Sequence, residues 1–328
     1  MFKKKKNTVE NPIRIGVVGT GLIGVSHIKA INNIPGFKLS CLCDLNEKVV
    51  SELAWENNVP YFLDYKEIPS KVELDAVILN LPHFLHCEAS VFFLDSGINV
   101  FIEKPMANTV AECDLMLEAE KRSGKKLAVG HIQRYYESNR KVRELVKSGK
   151  LGKFCMSTEA RSTFYFASWR PRWFLDKEKA GGGIVMNFGA HALDKHFYIT
   201  GERTVSAVSK YDNYLNDFNV EGHAQFMAKF ESGSSMSVTL SAYSPVIYDD
   251  VYYFTKGSVR CVDNGNLEIK VMGEKKPTLI KIKDKGMALQ RELEDFYNLL
   301  VGKESEITDG VYGKAVVESV EAIFSNQM

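Results

Sequence analysis

No apolar run in this 328-residue chain approaches the ~20 residues that span a bilayer. Internal repeats and low-complexity segments are also missing. The opening MFKKKKNTVENP is charged like the start of a secretory signal, yet no apolar stretch follows before the strand-like Ile13 to Val18. Lys3 to Lys6 therefore read as a frayed, solvated tail, and the expectation is a cytoplasmic protein with no membrane partner. An excess of charge of one sign is lacking too. Lys and Arg (42) balance Asp and Glu (41), so no global field draws the protein to nucleic acid. A disulfide framework is lacking as well: the six cysteines, at 41, 43, 87, 113, 155 and 261, are irregularly spaced. Cys41 and Cys43 point to one face of a strand and no second pair stands at metal spacing, which predicts reduced thiols and no zinc site.

What is present is an ordinary globular composition, 45% apolar and 25% charged, in a chain long enough for two domains. Residues 1–130 alternate short apolar runs with helical patterns, as βαβ units on a parallel sheet do. Strands are expected at Ile13 to Val18, Phe37 to Cys43, Leu74 to Leu81, Asn99 to Glu103 and Lys126 to Ile132, with a helix over Val110 to Ser123. Each strand is nearly continuous in hydrophobicity, as strands covered on both faces should be. In residues 131–328 the texture changes. A helix over Ser138 to Ser148 is followed by strands at Phe154 to Phe164, Thr204 to Tyr211, Glu221 to Phe230, Ser235 to Tyr243 and Val251 to Val262. Their alternation predicts an open, mainly antiparallel sheet in an α+β domain. Helices over Ala288 to Val301 and Tyr312 to Phe324 close the chain, with apolar stripes suited to packing back on the first domain.

Gly19-Thr20-Gly21-Leu22-Ile23-Gly24 follows the first strand and opens a helix. The glycines serve a tight turn, close approach of a pyrophosphate and helix-on-strand packing, while the helix N-terminus offers unpaired N–H groups. Asp44 ends the second strand, twenty positions past Gly24, where an acid binds the adenosine ribose. The context predicts a doubly wound Rossmann domain. Asp44 would repel a 2′-phosphate and neither Leu45 nor Asn46 supplies a cation, so NAD is favoured over NADP. As a plain structural feature, Asp44 would instead cap the next helix before Glu47.

Glu103-Lys104-Pro105 ends another parallel strand, at the crevice where open α/β sheets bind ligands. From there the ammonium of Lys104 can stabilise a developing alkoxide. Farther on, GGGIVMNFGAHALD (181–194) joins three glycines to a helical run that sets Asn187, His191 and Asp194 four and three residues apart on one face. His191 is the expected proton acceptor and Asp194 a structural partner.

Together, GTGLIG, NLPHFLH (80–86), EKP (103–105) and GGGxxxNxGxHxxD (181–194) resemble the inositol dehydrogenase and glucose-fructose oxidoreductase family, known as Gfo/Idh/MocA. The resemblance covers nearly the whole chain. It implies a Rossmann domain, a second domain whose open sheet builds homodimers or homotetramers, and hydride transfer at a secondary alcohol of a sugar, cyclic polyol or sugar derivative bound between the domains. Carried over by motif, Lys104 and His191 act on the reacting hydroxyl, and Asn80, Pro82 and His86, with Glu103 and Lys104 itself, border the dinucleotide. Where relatives commonly carry Asp, this chain has Asn187, which orients a hydroxyl but takes no proton. The resemblance leaves open two alternatives, a redox-silent dinucleotide-sensing protein and a glycosidase-like enzyme that retains NAD.

Further substrate candidates are Trp169, Arg172 and Trp173, with Arg170 between them, set before the glycine loop to cover the substrate or clamp an anion. Simple packing and surface charge account for them equally well. Arg134, with Gln133 and Tyr135, follows the last Rossmann strand and can face the same cleft. His83 and His86 lack a third ligand for a metal. Tyr248 to Phe254 reads as sheet core or an oligomer contact.

Overall fold

The computed structural model describes residues 11–215, 217–262, 265–283 and 286–328. The Lys3 to Lys6 tail lies outside the described residues. The chain divides into two compact units. One holds residues up to 107 with 111–130 and 287–314; the other holds 108–110, 131–286 and 315–328.

In the first unit β1 (Ile13–Val18), α1 (Leu22–Asn33), β2 (Phe37–Cys43), α2 (Glu47–Asn57), β3 (Tyr61–Phe62), β4 (Ala76–Leu79), α3 (His86–Asp95), β5 (Asn99–Glu103), α4 (Val110–Ser123) and β6 (Leu127–Gly130) follow in order. The sheet runs β6-β5-β4-β1-β2-β3, all parallel, with the short segment Thr308–Asp309 antiparallel at the β6 edge. Strand order reverses between β1 and β4, and at such a switch point the carboxyl ends of the strands open a crevice. Burial explains the apolar runs: Ala76, Val77, Ile78 and Leu79 of β4 are all 0% exposed. This strand is shorter than the expected Leu74 to Leu81, because Pro82, which has no N–H to pair, opens a 3₁₀ turn over His83–Leu85. The helix Ala288–Leu300 belongs with this unit because Leu293 and Phe296, both fully buried, join the core of Ile28, Phe37 and Phe101.

The second unit contains α5 (Glu137–Ser148), β7 (Phe154–Ser162), α6 (Ala190–Thr200), β8 (Thr204–Asp212), β9 (His223–Phe230), β10 (Ser235–Ser241), β11 (Ile247–Phe254), β12 (Gly257–Val262), β13 (Asn266–Val271) and β14 (Thr278–Ile280). Its sheet runs β14-β13-β12-β11-β7-β10-β9-β8, antiparallel at every step except β7–β10. The alternation in β9 is realised: Ala224, Phe226, Ala228 and Phe230 are buried, while Gln225, Met227 and Lys229 are exposed. The expected single strand Val251 to Val262 is instead a hairpin, β11–β12. It breaks at Thr255 and Lys256, whose N–H groups donate to Lys153 and Leu151 O, and at Gly257, where a Cβ would lie 2.3 Å from Lys270 O. Helices α5 and α6 cover the buried face through Val142, Tyr198 and Ile199, packed on Tyr252, Phe254 and Val259.

His196 of α6 is 2% exposed, with its ring stacked 3.6 Å from that of Phe230. Burial, and secondarily the Lys195 charge, push its pKa from 6.5 down to about 3. The unfolded chain therefore takes this proton first. Stability is fully present above pH 6.5 and falls by about 1.4 kcal/mol per unit as pH drops toward 3. Replacing His196 with Phe should make the stability loss between pH 6.5 and 4.5 smaller by about 2 kcal/mol in urea denaturation. An unaltered acid limb would contradict this.

Candidate active site

The glycine loop links β1 to α1. Gly19 has φ +89°, and a Cβ there would stand 2.4 Å from Asn80 O; one on Gly24 would stand 2.0 Å from Gly19 O. Only glycine fits either position. A Cβ on Gly21, by contrast, meets nothing within 4 Å, so the loop is open where a ligand would lie. No side chain caps α1, which leaves the first-turn N–H groups of Leu22, Ile23 and Gly24 available to an anion, beside the exposed Leu22 side chain.

Asp44 stands at the end of β2, half-buried. Its Oδ2 accepts from Thr20 N (2.7 Å) and Thr20 Oγ1 (3.0 Å), and its Oδ1 accepts from Asn46 N (2.9 Å). Asn46, not Asp44, caps α2, by accepting from Val49 N. Thr20 is thus corrected from a cofactor contact to a brace: only 2% exposed, it spends both its donors on holding Asp44. Asn80 follows β4, where its N donates to Val18 O and its Nδ2 to Gly19 O at 3.4 Å. Its buried Oδ1 has no hydrogen-bond partner among the described residues, and Pro82 is half-buried beyond it. A roomy glycine turn, open helix donors, a braced carboxylate and an orphaned amide oxygen together fit a dinucleotide.

At the end of β5, Glu103 Oε1 lies 2.9 Å from His27 Nε2 and its Oε2 accepts from Lys104 N at 3.2 Å. Both oxygens of Glu103 are engaged within the protein, and through them it anchors the Lys104 segment to α1. His86 needs the same correction as Thr20. It is 0% exposed, with Nδ1 2.8 Å from Pro105 O and Nε2 2.8 Å from Leu81 O. Burial lowers its pKa although both carbonyls pull the other way. His86 therefore pegs the loop after β4 to the loop after β5 without reaching the crevice. Lys104, half-buried and joined to Pro105 by a cis peptide bond, follows directly.

In the second unit Glu221, which motif reading missed, organises the glycine segment. Its Oε1 accepts from Gly183 N (2.7 Å) and Val185 N (2.8 Å), and burial raises its pKa against those hydrogen bonds. A Cβ on Gly183 would stand 2.3 Å from Glu221 O. Residues Val185–Gly189 then form a π-helical turn ahead of α6. That wider turn shifts the helical phase between Asn187 and α6. Asn187 is 8% exposed and hydrogen-bonds with Tyr165, whose hydroxyl burial pushes up to about 12. Asp194 is 0% exposed, 3.7 Å from Arg134 Nη2 and 3.9 Å from His131 Nδ1.

The face that opens outward carries Phe188, His191 and Lys195. They line a cavity of about 600 Å³ with Arg161 of β7 and Tyr248 and Asp250 of β11. Register explains the set, since Arg161 pairs with Tyr248 and Glu159 with Asp250, all on one side of the sheet. Lys195 is buried between Asp250 Oδ2 (2.7 Å) and Glu159 Oε2 (2.8 Å). Burial would depress its pKa, but the two carboxylates outweigh it and the net shift is upward. Sequence reading missed Lys195, Arg161 and Asp250; the one available signal was that Lys195 lies four residues past His191.

Of the remaining substrate candidates Gln133 lines this cavity, whereas Arg134, Trp169, Arg172 and Trp173 do not. Arg134 is buried with its guanidinium 5.4 Å over the Tyr198 ring, while Trp169 and Arg172 are exposed. Trp173 stacks on Phe174 at 3.8 Å. Among the described residues no three or more His, Cys, Asp or Glu side chains stand together to hold a metal, and no helix is long and apolar enough to cross a membrane.

A parallel sheet with this glycine loop, joined in sequence to a mixed open sheet, defines an NAD-binding oxidoreductase class. Residues 13–131 match the oxidoreductase family with an NAD-binding Rossmann fold, and residues 139–275 match the Gfo/Idh/MocA C-terminal domain. The chain belongs to the Gfo/Idh/MocA family. It is 24% identical to the D-glucoside 3-dehydrogenase of Escherichia coli (strain K12), over 98% of this chain and 97% of that one. To the inositol 2-dehydrogenase of Salmonella typhimurium it is 27% identical over 43% of each chain, so it spans less than half of that relative. The solved aldose-aldose oxidoreductase of Caulobacter crescentus shares the fold, with a TM-score of 0.86 and 23% identity over 96% of this chain and 97% of that one.

Proposed function

We propose that this protein is an NAD-dependent dehydrogenase oxidising a secondary alcohol of a sugar, cyclic polyol or sugar derivative. The observation that carries the reading is the cavity of the second unit, where an imidazole stands among donors and acceptors of both signs. His191 takes the hydroxyl proton. Lys104, whose role is carried over from the EKP motif, holds its ammonium to the same oxygen and stabilises the charge that develops there. Gly19, Gly21, Gly24 and the α1 N-terminus hold the pyrophosphate, and Asp44 accepts from the ribose hydroxyls. Bound there, NAD supplies the hydride acceptor.

The negative charge of Asp44 supports NAD over NADP. Asn187, turned to Tyr165, shapes the segment that presents His191 and takes no proton itself. The uncovered face of the second sheet, with exposed Val208, Met227 and Tyr253, supports a homodimer or homotetramer, and the balanced charge supports a cytoplasmic enzyme with no nucleic-acid or membrane partner. A panel of inositols, aldoses, amino sugars and nucleotide sugars should give NADH absorbance with NAD and at least about tenfold less kcat/KM with NADP. Tight NAD binding with no turnover on any of them would contradict the reading.

A further inference from the structure

Arg161, Lys195 and Asp250 line the cavity of the second unit, and with Glu159 behind Lys195 their four formal charges cancel. Lys195 is spent between Glu159 and Asp250. Arg161, with 10% of its side chain exposed, has Nε 3.5 Å from Glu159 Oε1 and its guanidinium 4.9 Å from the Tyr248 ring and 5.2 Å from the Phe188 ring. Two rings and a carboxylate thus fix the plane of the guanidinium. Among the described residues no acceptor stands against its Nη atoms. Asp250 gives one oxygen to Lys195, and its Oδ1 has no partner among the described residues. Both side chains line the cavity. A pair of donors and an acceptor therefore line one cavity from neighbouring strands, among charges that cancel.

Resting on the dehydrogenase reading, we infer that Arg161 and Asp250 are specificity residues that bind an uncharged vicinal diol of the substrate, selecting neutral sugars or polyols against sugar acids. A hydroxyl is both donor and acceptor, so adjacent hydroxyls satisfy the pair together: Arg161 Nη–H donates to one oxygen and Asp250 accepts from the other O–H. A carboxylate can take the guanidinium donors but leaves Asp250 facing a like charge in a partly dry cavity. A guanidinium without that acid would favour the anion. Asp250 therefore sets the sign of the preference.

The test is direct binding to the full-length protein with NAD present, by calorimetry, using glucose and glucuronate as a pair that differs in one carboxylate. Glucose should bind at least about tenfold tighter than glucuronate. Asp250→Asn should shift the ratio at least about tenfold toward glucuronate, and Arg161→Met should weaken glucose by a similar factor. Tighter binding of glucuronate by the unaltered protein would overturn the inference without any variant, as would a ratio unmoved by Asp250→Asn or no binding of either sugar. NADH formation from some other polyol would still support the wider dehydrogenase reading, so the two claims fail separately.

Discussion

Replacing Lys104 with Met should lower kcat by about 10²–10³-fold while NAD affinity changes less than about threefold. The expected loss is large because an ammonium held to the reacting oxygen matters most when that oxygen becomes negative. On the proposed reading the dinucleotide contacts lie elsewhere, on the glycine loop and Asp44. Methionine keeps the apolar stem and removes only the charge. Steady-state kinetics with a fluorescence titration of NAD separates the effects. A near-normal kcat would remove Lys104 from the mechanism.

Glu221→Ala should be the most damaging change in the second unit that touches no ligand. It would strand the Gly183 and Val185 N–H groups in a buried site, at about 1–3 kcal/mol each. Urea denaturation should therefore show a loss of about 2–6 kcal/mol. Glu221→Gln keeps an acceptor oxygen and should recover most of that. Turnover in the Ala variant should also fall, because the π-helical turn presenting His191 begins at Val185. An unchanged urea midpoint for Glu221→Ala would show that the segment holds its shape without the carboxylate.

The first sheet was legible because its signals are local. Uninterrupted apolar runs such as Ala76–Leu79 need no knowledge of their neighbours, and Gly19 to Gly24 announce a turn whatever surrounds them. Residues that act at a distance were harder. Thr20, Glu103 and His86 sit inside motifs that border a cofactor, yet each turns inward, and only the three-dimensional positions of Asp44, His27 and Pro105 explain why. Arg161 and Tyr248 are far apart in sequence and meet through strand register. The helix-face argument for Asn187 and His191 assumed a 3.6-residue pattern, and the π turn that lies between them adds a residue to one revolution. His191 itself was read from its motif, while Phe188 and Lys195 join it only as lining of the same cavity.

The central claim is hydride transfer from a carbinol carbon to NAD. Its most direct measurement uses a turned-over polyol carrying deuterium on the oxidised carbon, followed by mass analysis of the nicotinamide. The account predicts one deuterium in each NADH formed and a ketone product without it. Product formation with the label never leaving the sugar would contradict it.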